Sequence, residues 1–439
     1  SGVGAALLLA RAGARVYASD ADRSAMAAAG AAKLTEAGIA ATTGAHDLER
    51  IARATVVVVS PGVPPDAPPL VSARAGGVPV VSEIEIALRA MPGVRYIATT
   101  GTNGKTTTTS LIGHLLRTLG KRAVDAGNIG TPLTEIALRE TRPEWIALEL
   151  SSFQLHDTPS VDPTVGVLTN LSPDHLDRYA STDEYYGDKA LLFRNASDRS
   201  VWVLNADDPR VTAMAGDVPG AHRTFGMASP AEMTYDRAAA DGEIRWRDAR
   251  VLRRSELPML GNHNVSNAMA ATLAVIAADR SHGLHGALAR LADGLRSFRP
   301  PPHRLERVGE WDGVLWINDS KATNVSSTLV AIQGMTRPTV LLLGGRHKGE
   351  RYTALGDELR RTARVVLAYG EAAPIVEQDL GEVVRVERLG SDFAEVIARA
   401  KALAQPGDVV LLSPACSSYD MFRNFEERGA AFHRLAAAS

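Results

Sequence analysis

The run Tyr96-Ile97-Ala98-Thr99-Thr100-Gly101-Thr102-Asn103-Gly104-Lys105-Thr106-Thr107 carries the densest chemistry in the chain. A β-prone segment enters a glycine-punctuated turn, then Gly-Lys-Thr, then a helical pattern of Leu111, Ile112, Leu115, Leu116 and Leu119. Backbone N–H groups at such a turn and helix start face an anion, the lysine reaches terminal phosphates, and the next hydroxyl can hold Mg²⁺. The spacing predicts that Gly101, Thr102, Asn103, Gly104, Lys105, Thr106 and Thr107 wrap the phosphates of a nucleotide. The motif is irregular. The common pattern G-x-x-x-x-G-K-[ST] has its first glycine where Thr99 stands, and here that glycine falls at Gly101.

Further candidates follow strand-like segments. Glu149 closes the apolar run Trp145-Ile146-Ala147-Leu148, at the strand end where ligands collect in parallel sheets, and could serve Mg²⁺ or be a solvated strand-end acid. His175 stands between Asp174 and Asp177 in Ser172-Pro173-Asp174-His175-Leu176-Asp177-Arg178-Tyr179; it could ligate a metal or equally be a surface or capping histidine. Lys189, in Tyr185-Tyr186-Gly187-Asp188-Lys189-Ala190, reads by itself as an exposed helical lysine. Three more polar loops follow strand-like runs: Asn318-Asp319-Ser320-Lys321-Ala322-Thr323-Asn324, Gly344-Gly345-Arg346-His347-Lys348-Gly349 and Ser413-Pro414-Ala415-Cys416-Ser417-Ser418. Such loops converge on one sheet edge. Asn264 and Asn267 lie one helical turn apart, suited either to a base or ribose or to helix capping. Only seven lysines stand against 41 arginines, so Lys105, Lys321 and Lys348 in polar motifs are candidates for ammonium chemistry that guanidinium cannot perform.

The elements that must position these residues alternate between strand-like and helix-like, which argues for α/β architecture with parallel sheets. Met91-Pro92-Gly93 reads as a linker, and the proline cluster in Phe298-Arg299-Pro300-Pro301-Pro302-His303-Arg304 cannot continue a helix. Three domains are expected, over 1–91, 92–298 and 299–439, with a small β excursion at about 220–258. The net charge of −2 provides no bulk attraction for nucleic acid or anionic membrane. No apolar run reaches the roughly 18–20 residues of a membrane span. The single cysteine, Cys416, excludes an internal disulfide and suits a reducing cytosol. The opening Ser1-Gly2-Val3-Gly4, followed by an apolar helix, resembles the end of a Gly-rich turn whose strand is missing, so a truncated N-terminus is expected.

Thr100-Gly101-Thr102-Asn103-Gly104-Lys105-Thr106 resembles the ATP loop of the Mur ligases and folylpolyglutamate synthases. Within that superfamily, Glu149–Leu155, Asp174–Tyr179, Asn318–Asn324 and Ser413–Ser418 continued through Phe422–Gly429 are similar to the D-glutamate-adding branch. The resemblance implies a Rossmann-like N-terminal domain, a central P-loop ATPase-like domain with a mostly parallel sheet, and a Rossmann-like C-terminal domain. It implies a cytoplasmic bacterial enzyme, monomeric, that joins D-glutamate to UDP-N-acetylmuramoyl-L-alanine through an acyl phosphate in peptidoglycan precursor synthesis. ATP and two Mg²⁺ ions would be required. Lys105, Lys189, His175 and Glu149 would be catalytic. Thr106, Glu149, His175 and a carbamylated Lys189 would hold the metals. Asn267, Arg304, Asp319 and Lys321 would bind the nucleotide. Ser1, Asp20, Gly62, Asn128, Ser152 and Gln154 would hold the UDP-sugar, and Thr323, Lys348, Ser418 and Phe425 the D-glutamate. Another Mur ligase, or a folylpolyglutamate synthase-like enzyme, is the alternative.

Overall fold

A computed structural model describes residues 1–175 and 178–438 of the chain. The middle of the chain builds a nine-stranded sheet. From one edge, its strands are Ala249–Arg253, Glu243–Trp246, Met233–Asp236, Ala221–Gly226, Val201–Asn205, Val165–Leu168, Arg95–Thr100, Trp145–Glu149 and Ala123–Gly127. All neighbours run parallel except the last two pairs at the 233–253 edge. The stretch expected as a small β excursion therefore extends this sheet as its antiparallel margin. Val165, Val167, Trp145, Ile146 and Leu148 are fully buried, as near-continuous apolar strands covered on both faces require. One face packs on the helices Lys105–Thr118, Asn262–Ala278 and His285–Ser297. The other packs on Glu83–Ala90 and Leu133–Ala137, with Met91 enclosed in the same core.

The displaced glycine of the phosphate loop follows from this sheet. Thr99 is still strand, paired with Glu149 on one side and Val167 on the other, and wholly buried. The backbone leaves the strand at Gly101, with φ 142°, where a Cβ would lie 2.0 Å from Thr169 Oγ1. Gly104 caps the following helix at φ 80°, in the left-handed region that glycine enters freely.

Before the central domain, strands pair in parallel twos: Tyr17–Asp20 with Ala40–Thr43, and Val57–Val59 with Val80–Ser82. After it, six strands run in the order Glu306–Trp311, Val314–Asn318, Val409–Leu412, Thr339–Gly344, Ala363–Tyr369 and Val386–Arg388, with only the first antiparallel. Its polar loops at 318–324, 344–349 and 413–418 all leave the C-terminal ends of neighbouring strands, which brings them to one edge.

Candidate functional site

Lys105 Nζ donates to the carbonyls of Gly101 (2.9 Å) and Thr102 (2.6 Å). Lys189 Nζ donates to the same Gly101 carbonyl at 2.7 Å and lies 4.4 Å above the Tyr185 ring. Lys189 is only 1% exposed, so the lysine that reads as exposed in sequence is buried. The helical pattern hid this, because the surface its face meets comes from residue 101. Burial, then the neighbouring charge of Lys105, hold the Lys189 ammonium well below its ordinary range. Burial thus favours the neutral amine over the ammonium at this position.

Glu149 is 1% exposed at its strand end. Its Oε1 accepts from Asn128 Nδ2 at 2.8 Å, while Oε2 is buried with no partner. An unpaired buried carboxylate oxygen beside a phosphate loop fits a cation. His175 takes φ 56° and packs edge-on against Phe153 and Tyr185. Burial pulls its imidazole down to about 4 despite Asp174 Oδ2 at 3.8 Å, so it is neutral and has a lone pair to offer. The second flanking acid, Asp177, lies with Leu176 outside the described residues. Among the described residues, no group of three or more His, Cys, Asp or Glu forms a ready cation cage. A cation here would complete its shell with phosphate oxygens and water, which is the habit of Mg²⁺.

A cavity of about 220 Å³ opens on Lys105, Asn128, Ser152, His175, Arg178 and Lys189. A second, of about 230 Å³, is walled by Ser1, Pro61, Glu83, Asn128 and Gly130. Pro61 and Asn128 border both, so the two adjoin along a line from the N-terminal domain to the phosphate loop. Of the residues expected on the UDP-sugar, Ser1, Asn128 and Ser152 line these cavities. Asp20 and Gly62 do not; Asp20 sits exposed at its strand end and accepts the Asp22 N–H. Gln154 stands behind the wall. Its Oε1 accepts from the Ser151 N–H and hydroxyl in the capping box of the helix Ser152–His156, and only Nε2 is unpartnered. The Ser-x-x-Gln spacing is itself the sequence signature of that cap.

On the nucleotide side, Asn267 Oδ1 accepts from Thr108 Oγ1 at 3.3 Å, and its Nδ2 donates to Asn264 at 3.1 Å. A Cβ on Gly104 would lie 2.3 Å from Asn267 Oδ1, so this asparagine rests directly on the loop. Arg304 has a buried, unpartnered Nε. Asp319 accepts from the Leu305 N–H (3.2 Å) and the Ser413 hydroxyl (2.9 Å), and burial pushes its carboxyl up to about 7. Lys321 lies 4.7 Å over the Phe425 ring and is brought down to about 8 by burial. Lys348 Nζ stands 3.9 Å from Asp174, which also accepts from Asn324 Nδ2 at 2.7 Å. Ser418 is buried, with its carbonyl accepting the Met421 and Phe422 N–H groups; Thr323 is half-buried.

Sequence reasoning assigned nothing to Arg428. It is buried among neutral acceptors, donating to the Ser320 hydroxyl (3.0 Å) and the carbonyls of Ser320 (2.8 Å) and Cys416 (3.1 Å). It ties two of the strand-end loops together. A lone arginine on the apolar side of the helix Phe425–Ala437, beside Gly429, was the available signal.

Fold and site together define a three-domain P-loop enzyme. Family models match in the same order: a Mur ligase MurD-like N-terminal domain at residues 1–82, a Mur ligase middle domain at 99–275 and a Mur ligase glutamate ligase domain at 303–416. The chain is 42% identical to the UDP-N-acetylmuramoylalanine--D-glutamate ligase of Anaeromyxobacter dehalogenans, over 99% of this chain and 95% of that protein. It is 40% identical to the protein of the same name from Salinibacter ruber, with the same coverage. The chain belongs to the Mur ligase family, in the group these two relatives represent. Among solved structures, UDP-N-acetylmuramate-alanine ligase from Thermotoga maritima superposes with a TM-score of 0.61 at 22% identity, covering 98% of this chain and 97% of its own. MurF from Acinetobacter baumannii gives 0.63 at 18% identity, covering 83% and 87%. Both share the fold.

Proposed function

We propose that the protein joins D-glutamate to UDP-N-acetylmuramoyl-L-alanine at the expense of ATP. The observation that carries this reading is that two cavities adjoin at Pro61 and Asn128, one reaching the N-terminal domain and the other lined by Lys105, His175 and Lys189, the space a carboxylate must enter. The alanyl carboxylate attacks the γ-phosphorus, forming a carboxyl–oxygen–phosphorus bond and breaking the β–γ anhydride, with ADP leaving. The amine of D-glutamate then attacks the carbonyl carbon, loses a proton and expels inorganic phosphate. Bound Mg²⁺ would neutralise the charge that accumulates between carboxylate and phosphate.

The residues fit their tasks. Lys105 exchanges its two carbonyl partners for phosphate oxygens and offsets developing charge. Asn128 engages one oxygen of Glu149 and leaves the other without a partner, and Thr106, Glu149 and His175 would hold the cations. Lys189, its ammonium disfavoured by burial, would as the free amine form an N–C bond to carbon dioxide and lose a proton to solvent, giving a carbamate that turns a base into a further oxygen ligand. Arginine could not do this. Thr323, Lys348, Ser418 and Phe425 would hold the amino acid; Asn267, Arg304, Asp319 and Lys321 would hold the nucleotide.

On this reading, residues 1–91, 92–298 and 299–439 divide the labour between UDP-sugar, ATP and D-glutamate. The enzyme works as a monomer on small molecules in the bacterial cytoplasm; no helix among the described residues is long and apolar enough to cross a membrane. The test is phosphate release with UDP-N-acetylmuramoyl-L-alanine, ATP and each of D-glutamate, L-glutamate, L-lysine and meso-diaminopimelate. Release is expected with D-glutamate only. Release with a diamino acid would point to another Mur ligase activity, and release with L-glutamate and a folate acceptor to the folylpolyglutamate synthase-like alternative.

A further inference from the structure

The tip of the phosphate loop is fastened to the C-terminal domain through its own side chain. Asn103 Nδ2 donates to Ser326 Oγ at 2.8 Å, and Ser327 Oγ donates to Asn103 Oδ1 at 2.7 Å. Both serines lie in the first turn of the helix Val325–Gln333, whose cap Asn324 accepts from the Ser327 N–H. Ser326 also donates to Asn324 Oδ1 (3.2 Å) and accepts from Ser172 Oγ (3.3 Å). One turn of a helix therefore satisfies both ends of the Asn103 amide.

The Asn103 backbone is held just as firmly. Its N–H donates to Asn170 Oδ1 (2.9 Å), and its carbonyl accepts from Thr169 Oγ1 (2.7 Å) and Asn170 Nδ2 (2.9 Å). With backbone and side chain both tied, the loop tip cannot shift without moving the start of that helix. Thr323 immediately precedes it, and Asn324 meets Asp174, which faces Lys348. Ordinary domain packing would scatter such contacts over the interface. The two Asn103 contacts fall on the anion-binding turn itself, between Gly101 and Gly104, and the others on Ser172 and Asp174.

We propose that Ser326 and Ser327 are positioning residues that couple occupancy of the phosphate loop to the placement of the amino-acid-binding loops. The proposal rests on the reading of ATP and D-glutamate as substrates. Phosphates that order the turn fix Asn103, which holds the helix start and the neighbouring Thr323 and Lys348 in place. Coupling between binding sites is reciprocal, so D-glutamate must tighten nucleotide binding by the same factor.

The test is the double variant Ser326→Ala/Ser327→Ala, with Ser327→Thr as the variant that keeps the hydroxyl. Neither serine lines the two cavities. In substrate-free protein, hydrogen exchange is expected to quicken together at residues 103–108 and 325–333 in the double alanine variant and to stay near wild type in Ser327→Thr. With two hydrogen bonds lost, the KM for D-glutamate is expected to rise about tenfold while kcat at saturation changes little. The dissociation constant of magnesium AMP-PNP is expected to lose its dependence on D-glutamate. Unchanged exchange at both segments, or full linkage retained in the double alanine variant, would overturn the proposal. A wild-type protein indifferent to D-glutamate would instead fail the functional reading, and the substrate-free exchange arm would then decide the latch alone.

Discussion

Two lysines on one carbonyl set the chemistry of this site. Lys105 and Lys189 both donate to the Gly101 oxygen, and burial first, then the charge of Lys105, lowers the Lys189 ammonium well below its ordinary range. Lys189→Ala is expected to lower kcat by about 10²–10³, the scale of a lost electrostatic group, and to regain part of it with added short carboxylates. Lys189→Arg should not regain activity, because guanidinium stays charged. Absence of any rescue in a phosphate-release assay would leave the carbamate unsupported. A second residue-scale outcome concerns acid stability. Burial brings His263 to about 4, below its ordinary 6.5, so the unfolded chain binds the extra proton between those values. Its contribution to stability is present above pH 6.5 and is lost as pH falls toward 4. Asp319, raised to about 7, acts in the opposite sense. A melting-temperature series from pH 7 to 4 should fall less steeply for His263→Gln than for wild type.

At the scale of elements, the strand Arg95–Thr100 and its turn explain the odd motif. Thr99 keeps its place in the sheet, and glycine is required only where the backbone passes Thr169. Restoring the common pattern with Thr99→Gly is expected to lower stability by about 1 kcal/mol without improving nucleotide affinity, measured by denaturant melts and calorimetry. Gly101→Ala should cost about 1–3 kcal/mol and abolish nucleotide binding, since the turn must open to admit a Cβ. The same logic separates what sequence discloses from what it hides. Val165–Leu168 and Val409–Leu412 were legible because buried parallel strands read as unbroken apolar runs, and the phosphate loop because its anion chemistry is local. The burial of Lys189 and the clasp on Asn103 were not, because each depends on a partner far along the chain; Asn103 and Ser326 are 223 positions apart. Gln154 shows the reverse case, a polar residue whose local capping role competes with any part in substrate binding.

Over the whole molecule, two adjoining cavities extend from Ser1 and Pro61 past Asn128 to Lys105, and the C-terminal domain touches the phosphate loop at Asn103 and its neighbour Asp174. On the proposed reading, a UDP-sugar carboxylate, a γ-phosphate and an amino acid would meet along these cavities, which is what a phosphate-activated amide ligase requires. The direct measurement follows the oxygen. With the alanyl carboxylate of UDP-N-acetylmuramoyl-L-alanine labelled with heavy oxygen, ATP and D-glutamate should yield the amide and inorganic phosphate carrying one labelled oxygen. Unlabelled phosphate, or an amide formed equally well from L-glutamate, would contradict it.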